Sequence, residues 1–383
     1  MRYVSSGESH GRALTAIVTG VPAGIPVDTA AIDADLARRQ SGYGRGGRMA
    51  IESDRALILS GVRFGKTIGS PVTLTVANRD WDNWTDVMSP HADATSAARV
   101  TAPRPGHADL AGVQKTGSDD CRDILERASA RETAARVAAG GIARALLREL
   151  GVTVASFVVS IGDVSIDVPA DPASVDPTAV EASEVRCPDV GASVRMMATI
   201  DAARADGESL GGTFCVTASG LVPGLGTYAE AAERLDARLA AALISIPAIK
   251  GVEIGEGFAA AARPGSQVHD EIVYDEGHGY RRRTNRAGGL EGGMTNGEPV
   301  WLRAAMKPIP TLMRPLASVD LDTHEPVDAS RERSDVCAVP AAAVVAEAEV
   351  AMVLADAYLR KFGSDSLDDI TAALAAYKTR IAP

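Results

Sequence analysis

The chain has 383 residues, of which 46% are hydrophobic and 23% charged. These are ordinary globular values and exclude a disordered chain. Fifty acidic against 39 basic side chains give a net charge of −11, which argues against a general nucleic-acid binder. Residues 1–12 contain Arg2, Glu8, His10 and Arg12, so no apolar signal-peptide core is expected there. Residues 13–20 read as a strand. Asp28 is expected to cap a short helix with Ile32 and Leu36 on one face, ending near Gln40. SGYGRGGR at 41–48 is read as a loop, because four glycines in eight positions form no regular element. Residues 56–60 and 70–77 alternate like strands, and 78–106 read as a long loop of the kind that is usually functional.

The run 122–150 predicts one long helix through Ile124, Ala128, Ala135, Ala138, Ile142 and Leu146. Its small residues, Gly140 and Gly141 among them, suggest close packing inside the protein. Arg127 and Arg131 then stand i,i+4 near its start, where a helix N-terminus favours anions. Strands follow at 152–161 and 212–219, with helices near 193–206 and 229–244 and another strand at 299–306. The apolar stretch 339–354 is interrupted by Glu347 and Glu349, which speaks against a membrane-spanning helix. Pro340 suits the first turn of a helix running to Lys361, with Gly363 as its stop. A last helix covers 366–379. Gly42, Gly44 and Gly47 spell G-x-G-x-x-G, but after a helix, so a dinucleotide-binding fold is poorly supported.

The basic residues comprise 33 Arg and six Lys, and the arginines cluster beside glycines. Planar guanidinium suits carboxylate and phosphate, so an acidic protein with local Arg clusters fits a pocket that focuses a small polyanion. His10 lies in GESHG and His107 in RPGHADL. Each is either a structurally hydrogen-bonded histidine or a general acid, since histidine titrates near neutrality. Neither has a second His or Cys at metal-ligand spacing, so no metal is expected. Cys121, Cys187, Cys215 and Cys337 form no C-x-x-C pair, which points to a reducing compartment. NRAGGLEGGMTNGE at 285–298 can lie close against a flat ligand, and Lys307 to Thr311 reads as extended or turning. Asp335 is either a helix cap or a base.

GESHGRAL (7–14), RRQSGYGRGGR (38–48), RPGHADL (104–110), ERASARETAARVAAG (126–140), KGVEIGEGF (250–258), NRAGGLEGGMTNGEP (285–299), AMKPIPT (305–311) and RSDVCAVPAA (333–342) together resemble the chorismate synthase family. They span nearly the whole chain in the family's order. The resemblance implies an α+β fold, a β-α-β sandwich with helices between two antiparallel four-stranded sheets. It implies a single domain over 1–383, internally pseudo-repeated and with long functional loops, assembled as a homotetramer. The implied reaction is a 1,4-anti elimination of phosphate from 5-enolpyruvylshikimate 3-phosphate. It gives chorismate and uses reduced FMN without net redox change. NADPH is a candidate reductant, although the compact length favours an external flavin reductase. A cytoplasmic protein without nucleic-acid or membrane partners is expected.

By the same resemblance His10 is the acid near the leaving phosphate and His107 protonates or stabilises the reduced flavin ring, with the opposite allocation left open. Asp335 would help receive the C6 proton. Arg39, Arg45 and Arg48 would bind substrate anions or a nicotinamide nucleotide, with Arg104 and Arg131 completing the cationic wall. Arg127, Ala128 and Ser129, Pro247 and Ala248, Gly292, Lys307, Pro308, Ile309, Pro310 and Thr311, and Arg333 would hold FMN. Gly141 and Pro247 depart from the residues common in the family, which touches packing and one side-chain contact. On the residues alone, a flavin-dependent oxidoreductase and a non-catalytic anion-binding or assembly protein stay as alternatives.

Overall fold

The computed structural model describes residues 1–46, 53–91, 98–277, 279–332 and 334–382. Two antiparallel sheets enclose a double layer of helices. The first holds β1 (Arg2–Ser6), β2 (Ala13–Thr19), β3 (Ala56–Ser60) and β4 (Val72–Ala77), in the order β1-β2-β4-β3. The second holds β5 (Thr153–Ile161), β6 (Val164–Ser165), β7 (Gly212–Ser219), β8 (Ile249–Ile254) and β9 (Val300–Met306), in the order β8-β9-β7-β5-β6. The expected sandwich is present with one difference. The second sheet has five strands because the chain turns back after Ile161 and adds the two-residue β6 to the edge of β5.

Four helices fill the interior: α1 (Thr29–Gln40), α2 (Thr133–Glu149), α3 (Leu235–Ile244) and α4 (Val339–Phe362). α1 starts as the sequence predicts, with the Asp28 side chain accepting from the Ala30 N–H. α2 lies on β2 and β4, α3 on β8, and α4 on β5 and β7; α2 and α4 meet in the middle. They meet at Gly140. A Cβ there would lie 2.3 Å from the Cβ of Ala348 and 2.7 Å from its Cα, so only glycine allows this approach. Close contact offsets the roughly 1 kcal/mol that glycine costs a helix.

The long helix expected over 122–150 is in fact broken. Arg122–Leu125 is one short helix, and the backbone turns extended at Ser129 (φ −80°, ψ 148°). The Ser129 hydroxyl accepts from the Arg131 N–H and starts a 3-10 turn, Ala130–Glu132, before α2 begins at Thr133. A serine that satisfies the backbone locally competes with the helix. Arg127 and Arg131 therefore do not share a helix face. The helix expected at 229–244 likewise starts only at Leu235, after a 3-10 turn at Ala231–Glu233.

α4 is nearly all buried yet carries carboxylates. Fully buried Glu347 accepts from Arg38, Arg144 and Ser156. Burial pushes its pKa up, but Arg38, then Arg144 and Arg186, outweigh that and hold it at about 2. The glutamates that interrupt the apolar run thus tie α4 to its neighbours. Among the described residues no helix is long and apolar enough to cross a membrane.

The outer faces of the sheets differ. On the second, Phe157, Val159, Cys215 and Trp301 are buried under Val175 and Val180 of the following chain. On the first, Val4, Ile17, Leu57 and Leu59 remain exposed.

Candidate active site

A cavity of about 650 Å³ opens at one end of the helical double layer, a size typical of small-molecule sites. Its walls come from distant parts of the chain. The loop after β1 supplies Ser9 and His10, the segment after β4 Asp80 and Trp84, and the loop before helix Asp109–Thr116 Arg104 and His107. Residues 127–133 lead into α2, Ile246 to Ala248 follow α3, Met306 ends β9, and Lys307, Ile309, Pro310 and Thr311 follow it. Ala338, Ala341, Ala342 and Val345 form an apolar wall at the N-terminus of α4.

The two histidines are held alike. His10 Nδ1 lies 2.9 Å from Glu126 Oε1, and the His10 backbone N–H donates to Glu126 Oε2 at 2.8 Å. Arg122 donates to the same carboxylate. Burial raises the Glu126 pKa, but the hydrogen bonds and charge of His10 and the Arg122 cation outweigh it and hold the carboxyl below its ordinary value. The His10 ring also stacks on Trp84, with centroids 3.7 Å apart and planes 18° from parallel.

His107 Nδ1 lies 2.5 Å from Asp109 Oδ1 and 3.0 Å from an Arg104 nitrogen. Arginine can only donate, so both contacts cannot be hydrogen bonds of one tautomer. The shorter one decides for Nδ1–H donating to the carboxylate. Arg104 itself clamps Asp109 through Nε at 2.8 Å and its backbone N–H at 3.0 Å, and donates to Thr311 Oγ1. Asp109 is fully buried. Burial pushes its pKa up, yet His107 and Arg104 together hold it well below the carboxylate range.

The cations are likewise anchored from behind. Buried Asp54 accepts from Arg39 at 2.8 Å and from Arg131 at 2.6 Å, so two guanidiniums share one carboxylate and an excess positive charge remains. Burial lowers the Arg39 pKa to about 10, with Asp54 opposing, so it stays cationic at neutral pH. Its buried Nε has no partner among the described residues. Arg131 also donates to Asn78. Arg45 pairs with Asp335 at 2.7 Å, and the Gly46 N–H donates to the same carboxylate at 2.6 Å. A Cβ on Gly46 would sit 2.7 Å from the Ser334 carbonyl oxygen, so glycine permits that approach. Arg127 donates to the Ser5 and Gly7 carbonyls, and Lys307 to the Gly106 carbonyl. An anion-binding cavity with two carboxylate-anchored imidazoles can bind a polyanion and deliver protons inside it.

The family profile described as chorismate synthase matches residues 1–359. The chain belongs to the chorismate synthase family. Chorismate synthase of Symbiobacterium thermophilum is 59% identical over 392 residues, with 100% of both chains covered. That of Moorella thermoacetica is 59% identical over 378 residues, covering 99% of this chain and 98% of its own. A crystal structure of chorismate synthase, 43% identical, covers 100% of this chain and 98% of its own with a TM-score of 0.80. The enzyme is a carbon–oxygen lyase of the chorismate synthase kind.

Most residues implied by the chorismate synthase resemblance meet at this one cavity. His10, His107 and Asp335 line it, as do Arg39, Arg45, Arg104 and Arg131, residues 127–129, Pro247, Ala248, Lys307, Ile309, Pro310 and Thr311. Pro308 is exposed and Gly292 lies elsewhere. The turn holding Gly292 packs through Gly293 on Arg234, before α3, whereas Pro247 follows the other end of that ten-residue helix, about 15 Å along its axis. Arg48 and Arg333 lie outside the described residues.

Sequence reasoning missed Glu126, Asp109, Trp84 and Asp54. Asp109 stood in view two residues after His107. Glu126 is 116 residues from His10, and no local pattern announces it.

Proposed function

We propose that this chain converts 5-enolpyruvylshikimate 3-phosphate to chorismate, the last step of the shikimate pathway, by 1,4-anti elimination. A proton leaves C6 and phosphate leaves C3, so the products are chorismate and inorganic phosphate. The observation that carries the reading is the pair of imidazoles, each with Nδ1 on a buried carboxylate, facing one cation-lined cavity.

The substrate's two carboxylates and phosphate call for several guanidiniums, and Arg39, Arg45, Arg104 and Arg131 supply them. Arg48 belongs to the same assignment. His10 protonates the departing phosphate, ordinary general-acid work worth about 10²–10⁴-fold. Asp335 helps receive the C6 proton. His107 would protonate or stabilise the reduced flavin ring.

Reduced FMN fits the residues present. The apolar wall of Ala338, Ala341, Ala342 and Val345 suits a flat ring, and the cations suit its phosphate. Arg127 to Ser129, Pro247, Ala248 and Lys307 to Thr311 would hold it, with Arg333 completing the set. Bound there, reduced flavin would supply transient electron density that eases C–O cleavage. An external flavin reductase supplies it, with NADPH as the alternative reductant. The chain works as one domain, in the cytoplasm, as a homotetramer; the open apolar face of the first sheet supports association with further copies.

The test is anaerobic. The protein is mixed with 5-enolpyruvylshikimate 3-phosphate and chemically reduced FMN, and chorismate and phosphate are followed together. Equal release of both, with flavin recovered reduced and no reaction with oxidised FMN, is expected. Flavin binding without product would overturn the reading.

A further inference from the structure

His10 is gripped from two sides by groups with no assigned role. Glu126 takes both its Nδ1 and its backbone N–H, and Trp84 covers one ring face at 3.7 Å. Trp84 is itself fixed, since its indole N–H donates to Asp80 Oδ2 at 3.1 Å. Glu126 is almost wholly buried, with 1% of its side chain exposed. A buried carboxylate against an imidazole favours the imidazolium, and an indole face favours a cation over a neutral ring.

We propose that Glu126 and Trp84 are positioning residues that fix the His10 ring with Nδ1–H on the carboxylate, so that Nε2 is the nitrogen that exchanges the proton. The role rests on the elimination reading above, in which His10 is an acid, but the clamp itself can be measured without turnover. Other charges bear on the ring as well. Arg122 shares Glu126 and lies over Trp84 at 5.3 Å. Glu332 pairs with Arg122 at 3.6 Å. Asp80 lies beyond the indole, Glu8 is on the same loop, and Arg127 is directed to the Ser5 and Gly7 carbonyls. Arg122 opposes the imidazolium, so removing Glu126 leaves beside the ring a cation that only the longer contact to Glu332 balances.

The measurement is a proton NMR titration of the His10 ring in the full-length protein, assigned with His10→Ala. In Glu126→Gln the midpoint falls, because a neutral amide replaces the carboxylate on Nδ1. Turnover at neutral pH falls and recovers as the medium is acidified. Glu126→Asp, which keeps the charge, restores much of both. Arg122→Gln gives the opposite sign and raises the midpoint, which keeps the test usable if Glu126→Gln does not fold. Trp84→Leu lowers the midpoint more weakly. Unmoved midpoints in Glu126→Gln and Arg122→Gln would overturn the clamp even with normal wild-type turnover. Moved midpoints in a wild type that makes no chorismate would support the clamp and sink only the elimination reading.

Discussion

His107 and His10 share one design but differ in how it is assembled. His107, its carboxylate Asp109 and the clamping Arg104 all lie within six residues of sequence, and Asp109 is sealed from solvent. His10 reaches a carboxylate 116 residues away, and the arginine on that carboxylate is partly exposed. The local version makes its ion pair a part of the fold. The distant version makes it an adjustable contact between two segments. A histidine can therefore be set by the same chemistry with very different structural stakes.

The largest effect expected is catalytic. His10→Ala lowers turnover about 10²–10⁴-fold while FMN affinity, read by titration of the flavin, stays nearly unchanged. Equal turnover in that variant would remove the acid role. Next is Asp109→Asn, which leaves the buried Arg104 cation uncompensated and destabilises the protein by about 3–5 kcal/mol in denaturant unfolding. Glu126→Gln costs less in the same experiment, because Arg122 keeps Glu332 and some solvent. Similar losses for the two would erase the contrast. Thr311→Val removes one acceptor from Arg104 and costs about 1.5 kcal/mol, measured the same way.

The finest distinction is in acid. Both carboxyls are held below their ordinary values, Asp109 the further. Stability from each is complete above the unfolded-state carboxyl pKa, about 4, and is lost as pH falls through the folded-state value. Acid should therefore release His10 before His107, as resolved by ring NMR signals on stepwise acidification. Release in the reverse order would contradict the ranking.

The same contrast explains what the sequence made legible. Period and caps located β2, α1, β5, β7 and α4, because each is decided by neighbours within a few residues. The glycine pair in α2 announced a close approach: Ala348 approaches Gly140 and Ile32 approaches Gly141. The break at Ser129 was hidden, since Ile124, Ala128 and Ala135 keep a helical period across it while one hydroxyl decides otherwise. At the site, cations and histidines showed themselves through glycine-flanked motifs. Their counter-charges did not: Glu126 and Asp54 acquire meaning only when strands and helices far apart in sequence are brought together.

α4 carries the longest of these connections. Glu347 is bound by Arg38, 309 residues earlier, and by Ser156 at the far sheet. Each contact closes a very long loop, and closing it must precede any gain from the ion pair. The central helix thus joins an interior whose strands all precede it in the chain. A chain made from its N-terminus has every strand of both sheets, with Arg38 and Arg144 waiting, before α4 arrives. Folding of this protein should be slow, with the cavity wall formed by α4 completed late.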